Sequence, residues 1–355
     1  MKLPDLWIFI PAVLLTSIGL LISSTVSPAE FNFQWKVALV SILIAIFIFL
    51  IDSEFLYILA KPAYLLTILL LILLLIFNDP IRGSRRWFAF GPFVLQISEF
   101  AKLSLILFFA GISQHTKLTE ITKYIWALLI IAIPVLLVFI QPDLGSSIIL
   151  GLIGILSVII LRPKKRYILA TIIFAAILAP LSLSFLAPYQ RARLDHFINP
   201  GDDPLGASYN QIQAVIAVGS GQLIGLGLGK GSQSRLHFLP EKQTDFFFAT
   251  ASEQLGFISS MLIVLLYCCI ALRSLHLISK IKDRRASIIL LGGVGLIFIQ
   301  AVIHIGINIG ILPVTGIPLP FMSVGGSSML VSWLCIGMML CVEKDNRELK
   351  AFEIC

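Results

Sequence analysis

The chain has 355 residues, 58% of them apolar and only 13% charged, and carries a formal net charge of +7. With a mean hydropathy of +0.99, its polar residues could not cover the surface of a water-soluble globule, so that class is excluded and the chain belongs in a membrane. The five cysteines fall in apolar runs or at the last residue and no CxxC occurs, which gives neither a disulfide framework nor a zinc site.

The first stretch, MKLPDLWIFIPAVLLTSIGLLISST, sets roughly 20 apolar residues after a single lysine with no small-residue cleavage site, and so reads as an anchored helix rather than a removed signal peptide. Further windows long enough to cross about 30 Å of hydrocarbon give spans near residues 6–25, 36–52, 57–77, 98–114, 124–140, 144–161, 167–187, 246–272, 286–309 and 321–342. The last is expected to enter through an unwound segment, because its first turns carry SVGGSS. The expected fold is all-α: one polytopic membrane domain over residues 1–355 with about ten transmembrane helices. A large loop at residues 188–245 separates helices seven and eight, and a short tail covers residues 343–355.

Lysine and arginine counts orient this bundle. With both termini cytoplasmic, 16 of the 26 cations fall on the inner side, nine on the outer side, and Lys102 inside the fourth span. The large loop is then extracytoplasmic. A loop that long is uncommon unless it functions, and its IQAVIAVGSGQLIGLGLGKG portion is expected to lie along the outer interface. The working face is accordingly extracytoplasmic.

Candidate residues follow in chain order, each beside its plainer reading. Arg85, Arg86 and Trp87, in RGSRRWFAFGP, suit an anionic head group through arginine's planar fork, or an aromatic-belt anchor with snorkelling arginines. Glu99 and Lys102, three apart on the fourth span, can meet on one face and neutralise each other, or reach a substrate phosphate. In IQPDLGSS, Pro142 breaks the helix and Asp143 caps the next. In EKQTDFFFATASEQLG, Asp245 and Thr244 stand where an N-cap belongs, yet the carboxylate also borders an apolar run and a basic, polar approach. Glu253, eight residues on, is expected near the same helix face and about 12 Å deeper, with a structural ion pair as its plainer role. His304 and Asn308, one turn apart, read as helix–helix hydrogen-bonding groups rather than metal ligands. Residues 308–328 hold too much proline and glycine for regular helix and are expected to line the site. There is no nucleotide-binding loop, HExxH or GxSxG.

Taken together, GSRRW, SEFAKL, QPDLGSS, DPLGASYNQIQAVIAVGSG, FLPEKQTDFFFATASEQLGF and ILPVTGIPLPFMSVGGSS closely resemble the SEDS family of shape, elongation, division and sporulation proteins, from the third span almost to the C-terminus. The resemblance implies a ten-helix polymerase that joins lipid II into glycan strands on the outer face of the bacterial plasma membrane. It also implies a class B penicillin-binding protein as partner, alongside other proteins of the elongation or division complex. Nothing points to nucleic acid. The family's essential aspartate falls on Asp245, its RW pair on Arg86 and Trp87, its SEFAK pair on Glu99 and Lys102, and its ELG glutamate on Glu253. Ser327, in the terminal GGSS, joins the substrate-binding candidates. Two departures are Gln254, where many members have glutamate, and Val324, where many have tyrosine.

That chemistry makes Asp245 the base or acceptor-orienting group. Arg86, Lys102, Arg193, Arg235 and Lys242 become candidate contacts for the departing pyrophosphate. A divalent cation, magnesium or manganese, could share that task. Two rivals remain at this stage: a flippase that moves lipid II without chemistry, and a scaffold that recruits the transpeptidase. The short ends favour the elongation branch over the division branch only modestly.

Overall fold

The computed structural model describes residues 3–77, 86–90, 93–113, 119–161, 163–182, 184, 186–198, 209–231 and 242–354. Twelve helices and one β-hairpin are described. The helices are α1 (Leu6–Val26), α2 (Pro28–Leu50), α3 (Ser53–Phe77), α4 (Ile97–Ile112), α5 (Glu120–Ile140), α6 (Leu144–Ile159), α7 (Lys165–Ser182), α8 (Pro188–Ile198), α9 (Tyr209–Ser220), α10 (Phe247–Lys280), α11 (Arg284–Asn308) and α12 (Gly326–Ile354). The ten expected spans correspond to α1–α7 and α10–α12.

Seven of these, all but α4, α6 and α7, are long and apolar enough to cross a membrane. They expose many large apolar side chains, chiefly leucine, isoleucine, phenylalanine and tryptophan, as a multi-pass membrane protein requires. The core gathers around α11, whose glycines admit neighbours closely. A Cβ on Gly292 would stand 2.8 Å from Ile106, and one on Gly293 2.8 Å from Met339.

The structure fills in the expected elements and moves one boundary. Helix α2 begins at Pro28, not near residue 36, because its polar first turns are still helical and its buried Gln34 is satisfied by the Ser323 carbonyl at 3.1 Å. Helix α12 runs on past residue 342 through the stretch read as the tail, to Ile354. The segment 188–245 carries two short helices, α8 and α9. The fold is all-α as expected, with one short hairpin among the described residues. Strand β1 (Trp87–Phe90) pairs antiparallel with β2 (Phe93–Gln96), Trp87 opposite Gln96, and this hairpin leads directly into α4.

Connections alternate between two ends of the bundle. At one end Arg273 holds Asp5 at 2.6 Å, Arg285 holds Glu54 at 2.7 Å, and Lys344 donates to the Ile51 carbonyl at 2.8 Å. Both chain termini therefore share this basic end. The hairpin, the α5–α6 turn and the irregular segment between α11 and α12 meet at the other.

Candidate functional site at the hairpin end

Helix α10 is two helices in one. Gly256 has φ 77° and ψ −175°, a conformation open to glycine and strained for any other residue. Ser260 Oγ donates to Ser252 Oγ at 2.8 Å. In a straight helix residues eight apart are separated by about 12 Å, so the axis folds sharply at Gly256. The long arm, residues 257–280, would rise about 36 Å and can cross the bilayer alone. The short arm, residues 247–255, packs beside it.

Breaking a helix at membrane depth strands backbone groups, and the segment after α9 satisfies them. Leu226 N–H donates to the Glu253 carbonyl at 3.0 Å and Gly227 N–H to that of Gln254 at 3.0 Å. Phe257 N–H in turn donates to the Gln222 carbonyl at 2.8 Å. The Gln254 side chain adds contacts to Thr25 at 3.0 Å and to Gly229 N–H at 3.2 Å. Both contacts use Oε1, which a glutamate would also offer, so the structure gives no reason for glutamine at this position. Leu223 and Ile224 beside it stay exposed, which fits the interfacial placement expected for this stretch.

Two expectations are corrected here. Glu253 does not lie one straight helix deeper than Asp245, because the chain reverses between the arms. Thr244, through Ser323, is tied to Gln34, well inside α2, while Gln254 is tied to Thr25 at the end of α1. The short arm therefore climbs toward the α1–α2 turn.

Nor do Asp245 or Thr244 cap the short arm. The N-cap is Phe246, with no side-chain cap bond of its own. The orphan first-turn donors are served instead by α11. Phe248 N–H reaches His304 Nε2 at 3.4 Å, and Ala249 N–H reaches Asn308 Oδ1 at 2.9 Å. His304 Nδ1 meets the Ile317 carbonyl at 2.8 Å, so that nitrogen carries the proton and Nε2 accepts. Asn308 Nδ2 donates to the Asp245 carbonyl at 3.1 Å. His304 and Asn308 are thus the helix–helix hydrogen-bonding pair expected, and Asn308 holds Asp245 through its backbone carbonyl.

That carboxylate borders the irregular segment between α11 and α12. Gly316 has φ 73°, and a Cβ there would stand 3.7 Å from Asp245 Oδ2. The segment keeps its shape because its polar backbone is individually satisfied. Ser323 Oγ donates to the Thr244 carbonyl at 3.0 Å and accepts from Leu319 N–H at 2.9 Å. Val324 N–H reaches the Gln243 carbonyl at 2.9 Å, and Tyr267 donates to the Pro320 carbonyl at 2.5 Å. Residues 308–328 thus line the site as expected, with α12 starting at Gly326.

The same segment carries the cations. Arg193 donates to the Val314 carbonyl at 3.3 Å, and a cleft next to it is lined by Arg86, Tyr189, Arg193, Val314 and Thr315. Thr315 directly precedes Gly316, so this cleft and Asp245 share a wall. Arg86 bonds Tyr189 OH at 2.6 Å and the Pro142 carbonyl, and lies 3.8 Å from Asp143. Asp143 caps α6 through Ser146 N–H, as expected, and accepts from Gln96 Nε2 at 3.2 Å. Ser327 Oγ ties the hairpin down, accepting from Gln96 N–H at 3.0 Å and donating to the Val94 carbonyl at 3.1 Å. Trp87 is half-buried at the start of β1.

Two candidate cations sit apart from the cleft. Lys102 is completely buried against Glu99 at 2.5 Å, the same-face pair expected on α4. Lys242 is buried beside the short arm, where Thr250 donates to its carbonyl at 3.2 Å. Burial pushes its pKa down and the charge of Glu253 pushes it up, so Glu253 acts here as an ionic neighbour of Lys242. Arg85 and Arg235 lie outside the described residues. Among the described residues no group of three His, Cys, Asp or Glu side chains could hold a metal ion.

Tyr189 and Gln190 escaped the sequence reading, although both reach the Pro142 carbonyl, at 2.5 and 3.1 Å. The only local signal was the PYQRAR helix start, which without the fold says nothing about the distant α5–α6 turn.

Known proteins supply an independent comparison. A family model described as cell cycle protein, spanning FtsW, RodA and SpoVE, matches residues 2–348. The chain is 35% identical over 363 residues to Stage V sporulation protein E of Bacillus subtilis, covering 97% of this chain and 98% of that one. It is 35% identical over 292 residues to the peptidoglycan glycosyltransferase MrdB of Escherichia coli, covering 82% and 79%. A solved chain from a peptidoglycan synthase complex, described as coordinating polymerization and crosslinking, superposes with a TM-score of 0.83 at 26% identity, covering 98% and 99%.

Proposed function

The chain belongs to the FtsW/RodA/SpoVE family of cell cycle proteins, and from that premise we propose that Asp245 is the working carboxylate of a peptidoglycan glycosyltransferase. The protein polymerises lipid II into β-1,4 glycan strands; relatives sharing most of its length are named for peptidoglycan glycosyl transfer. A flippase without chemistry is not favoured.

In the proposed reaction the 4-hydroxyl of an acceptor sugar attacks the anomeric carbon of the donor. The bond from that carbon to the undecaprenyl pyrophosphate oxygen breaks with inversion, and the pyrophosphate leaves with the electron pair. The hydroxyl proton passes to Asp245. A base of this kind typically contributes 10² to 10⁴-fold. The leaving pyrophosphate needs positive charge rather than an acid, and Arg86 and Arg193, on the wall shared with Asp245, are the groups proposed to meet it.

The observation that carries this assignment is the division of labour at the short arm. His304 and Asn308 hold its N-terminus, and Asp245's carboxylate lies at Gly316, on the wall that also bears Arg86 and Arg193. We place the hairpin end on the extracytoplasmic face of the plasma membrane and both termini in the cytoplasm, because the cation bias marks the opposite end as inner. The partner we propose is a class B penicillin-binding protein, in keeping with the synthase complex that the chain resembles. Any divalent cation would arrive with the pyrophosphate. Purified protein, with and without that partner, given lipid II and assayed for polymer, tests the reading; scrambling in liposomes without polymer would contradict it.

A further inference from the structure

At the basic end, far from Asp245, a cavity of about 360 Å³ opens between α4, α5, α6 and the start of α11. Its size falls within the range of small-molecule sites. It arises because α5 packs chiefly on α6 and touches α4 little. Its lining combines the charged Lys123, Glu120 and Arg284, at or near the starts of α5 and α11, the aromatic Tyr124 and Trp126, and the apolar Phe109, Ile130 and Val158.

The charges in the lining do not cancel. Glu120 is held by Lys164 at 2.7 Å, with Arg166 and Lys123 also acting on it. Among the described residues no hydrogen bond or ion pair engages the side chains of Lys123 and Arg284. Asp283, next to Arg284, is spent on capping α11 through Arg285 N–H and on the Arg285 guanidinium at 3.5 Å. The charged part of the lining is therefore net positive, at the bundle end whose loops hold most of the chain's cations.

From Glu120 to Ile130 along α5 is ten residues, about 15 Å, or half of a bilayer core of about 30 Å. An anion at these cations and one leaflet's depth of apolar wall describe a glycerophospholipid of that leaflet. We propose that this cavity binds an anionic phospholipid, its phosphate at Lys123 and Arg284 and an acyl chain along Phe109, Ile130 and Val158. Basic pockets between helices at the cytoplasmic side are recognised anionic-lipid sites.

The test is native mass spectrometry of the full-length protein released from nanodiscs of mixed phosphatidylglycerol and phosphatidylcholine. Wild type should retain phosphatidylglycerol selectively. Lys123→Ala with Arg284→Ala, both exposed positions, should retain it roughly ten- to thirtyfold less, and Ala127→Trp, which fills the slot, should lose it while keeping the cations. Excess glycerol phosphate should not displace the lipid. Equal retention by the double variant, preference for phosphatidylcholine, or displacement by the soluble phosphate would each overturn the proposal. Polymerisation of lipid II does not enter the readout, so failure here and failure of the Asp245 assignment are separable.

Discussion

Asn308 offers a sharp test of how the site is held. Its side chain makes three hydrogen bonds: from Ala249 N–H at 2.9 Å, and to the carbonyls of Asp245 at 3.1 Å and His304 at 2.7 Å. Asn308→Ala orphans a buried first-turn donor of the short arm and frees the Asp245 backbone. Loss of a cap costs about 1 kcal/mol, up to roughly 2, and a buried donor left unpaired about 1–3 kcal/mol. These describe the same N–H, so a total of about 2–3 kcal/mol is expected. Activity should suffer more than stability, since a misplacement of about 1 Å at a catalytic group can cost roughly 100-fold. Asn308→Asp restores the acceptor for Ala249 but not the donor to Asp245, and should recover stability ahead of rate. Thermal unfolding in detergent and polymerisation of lipid II by purified protein read both quantities. An Asn308→Ala variant that melts and polymerises like wild type would refute this reasoning.

Other substitutions probe the remaining parts. Gly256→Ala places a Cβ 2.3 Å from Gly225 N at a φ of 77°; strain of about 1–3 kcal/mol should separate the two arms, seen as faster proteolysis of the segment after α9. Arg86→Lys retains charge but loses the fork that meets Tyr189 and Pro142 together. It should lower polymerisation more than it lowers melting temperature, and a melting change without a rate change would contradict its role at the leaving group. Lys102→Met leaves Glu99 buried without its cation, which typically costs about 3–5 kcal/mol. The variant should accumulate poorly, and a second change, Glu99→Leu, should restore folding.

Much of this fold was legible because the bilayer imposes one strong rule, that spanning segments be long and apolar, and α1, α3 and α5 obey it plainly. Motif order carried the family, and the proline- and glycine-rich stretch before α12 announced an irregular wall. Long-range satisfaction of backbone groups was not legible. The apolar window placed the second span near residue 36, yet α2 starts at Pro28, and Gln34 in its early turns is buried because Ser323 lies opposite. Asp245 stood in the position of a cap, and only the approach of α11 shows that His304 and Asn308 took that duty. A periodic sequence gives no sign that a helix folds at Gly256, because a lone glycine costs an apolar helix little and the loop that stabilises the break lies about thirty residues upstream. Lys102 and Glu99 were readable as a pair because their spacing is local; Arg86, Tyr189 and Pro142 meet across three separate connections and were not.

The central claim is that the Asp245 carboxylate, held beside Gly316, takes the proton as the glycosidic bond forms. Its most direct measurement is the rate of lipid II polymerisation by purified Asp245→Asn, alongside its melting temperature. The account predicts an inserted, normally melting protein whose rate falls by about 10² to 10⁴-fold. Glycan synthesis at close to the wild-type rate by that variant would contradict it.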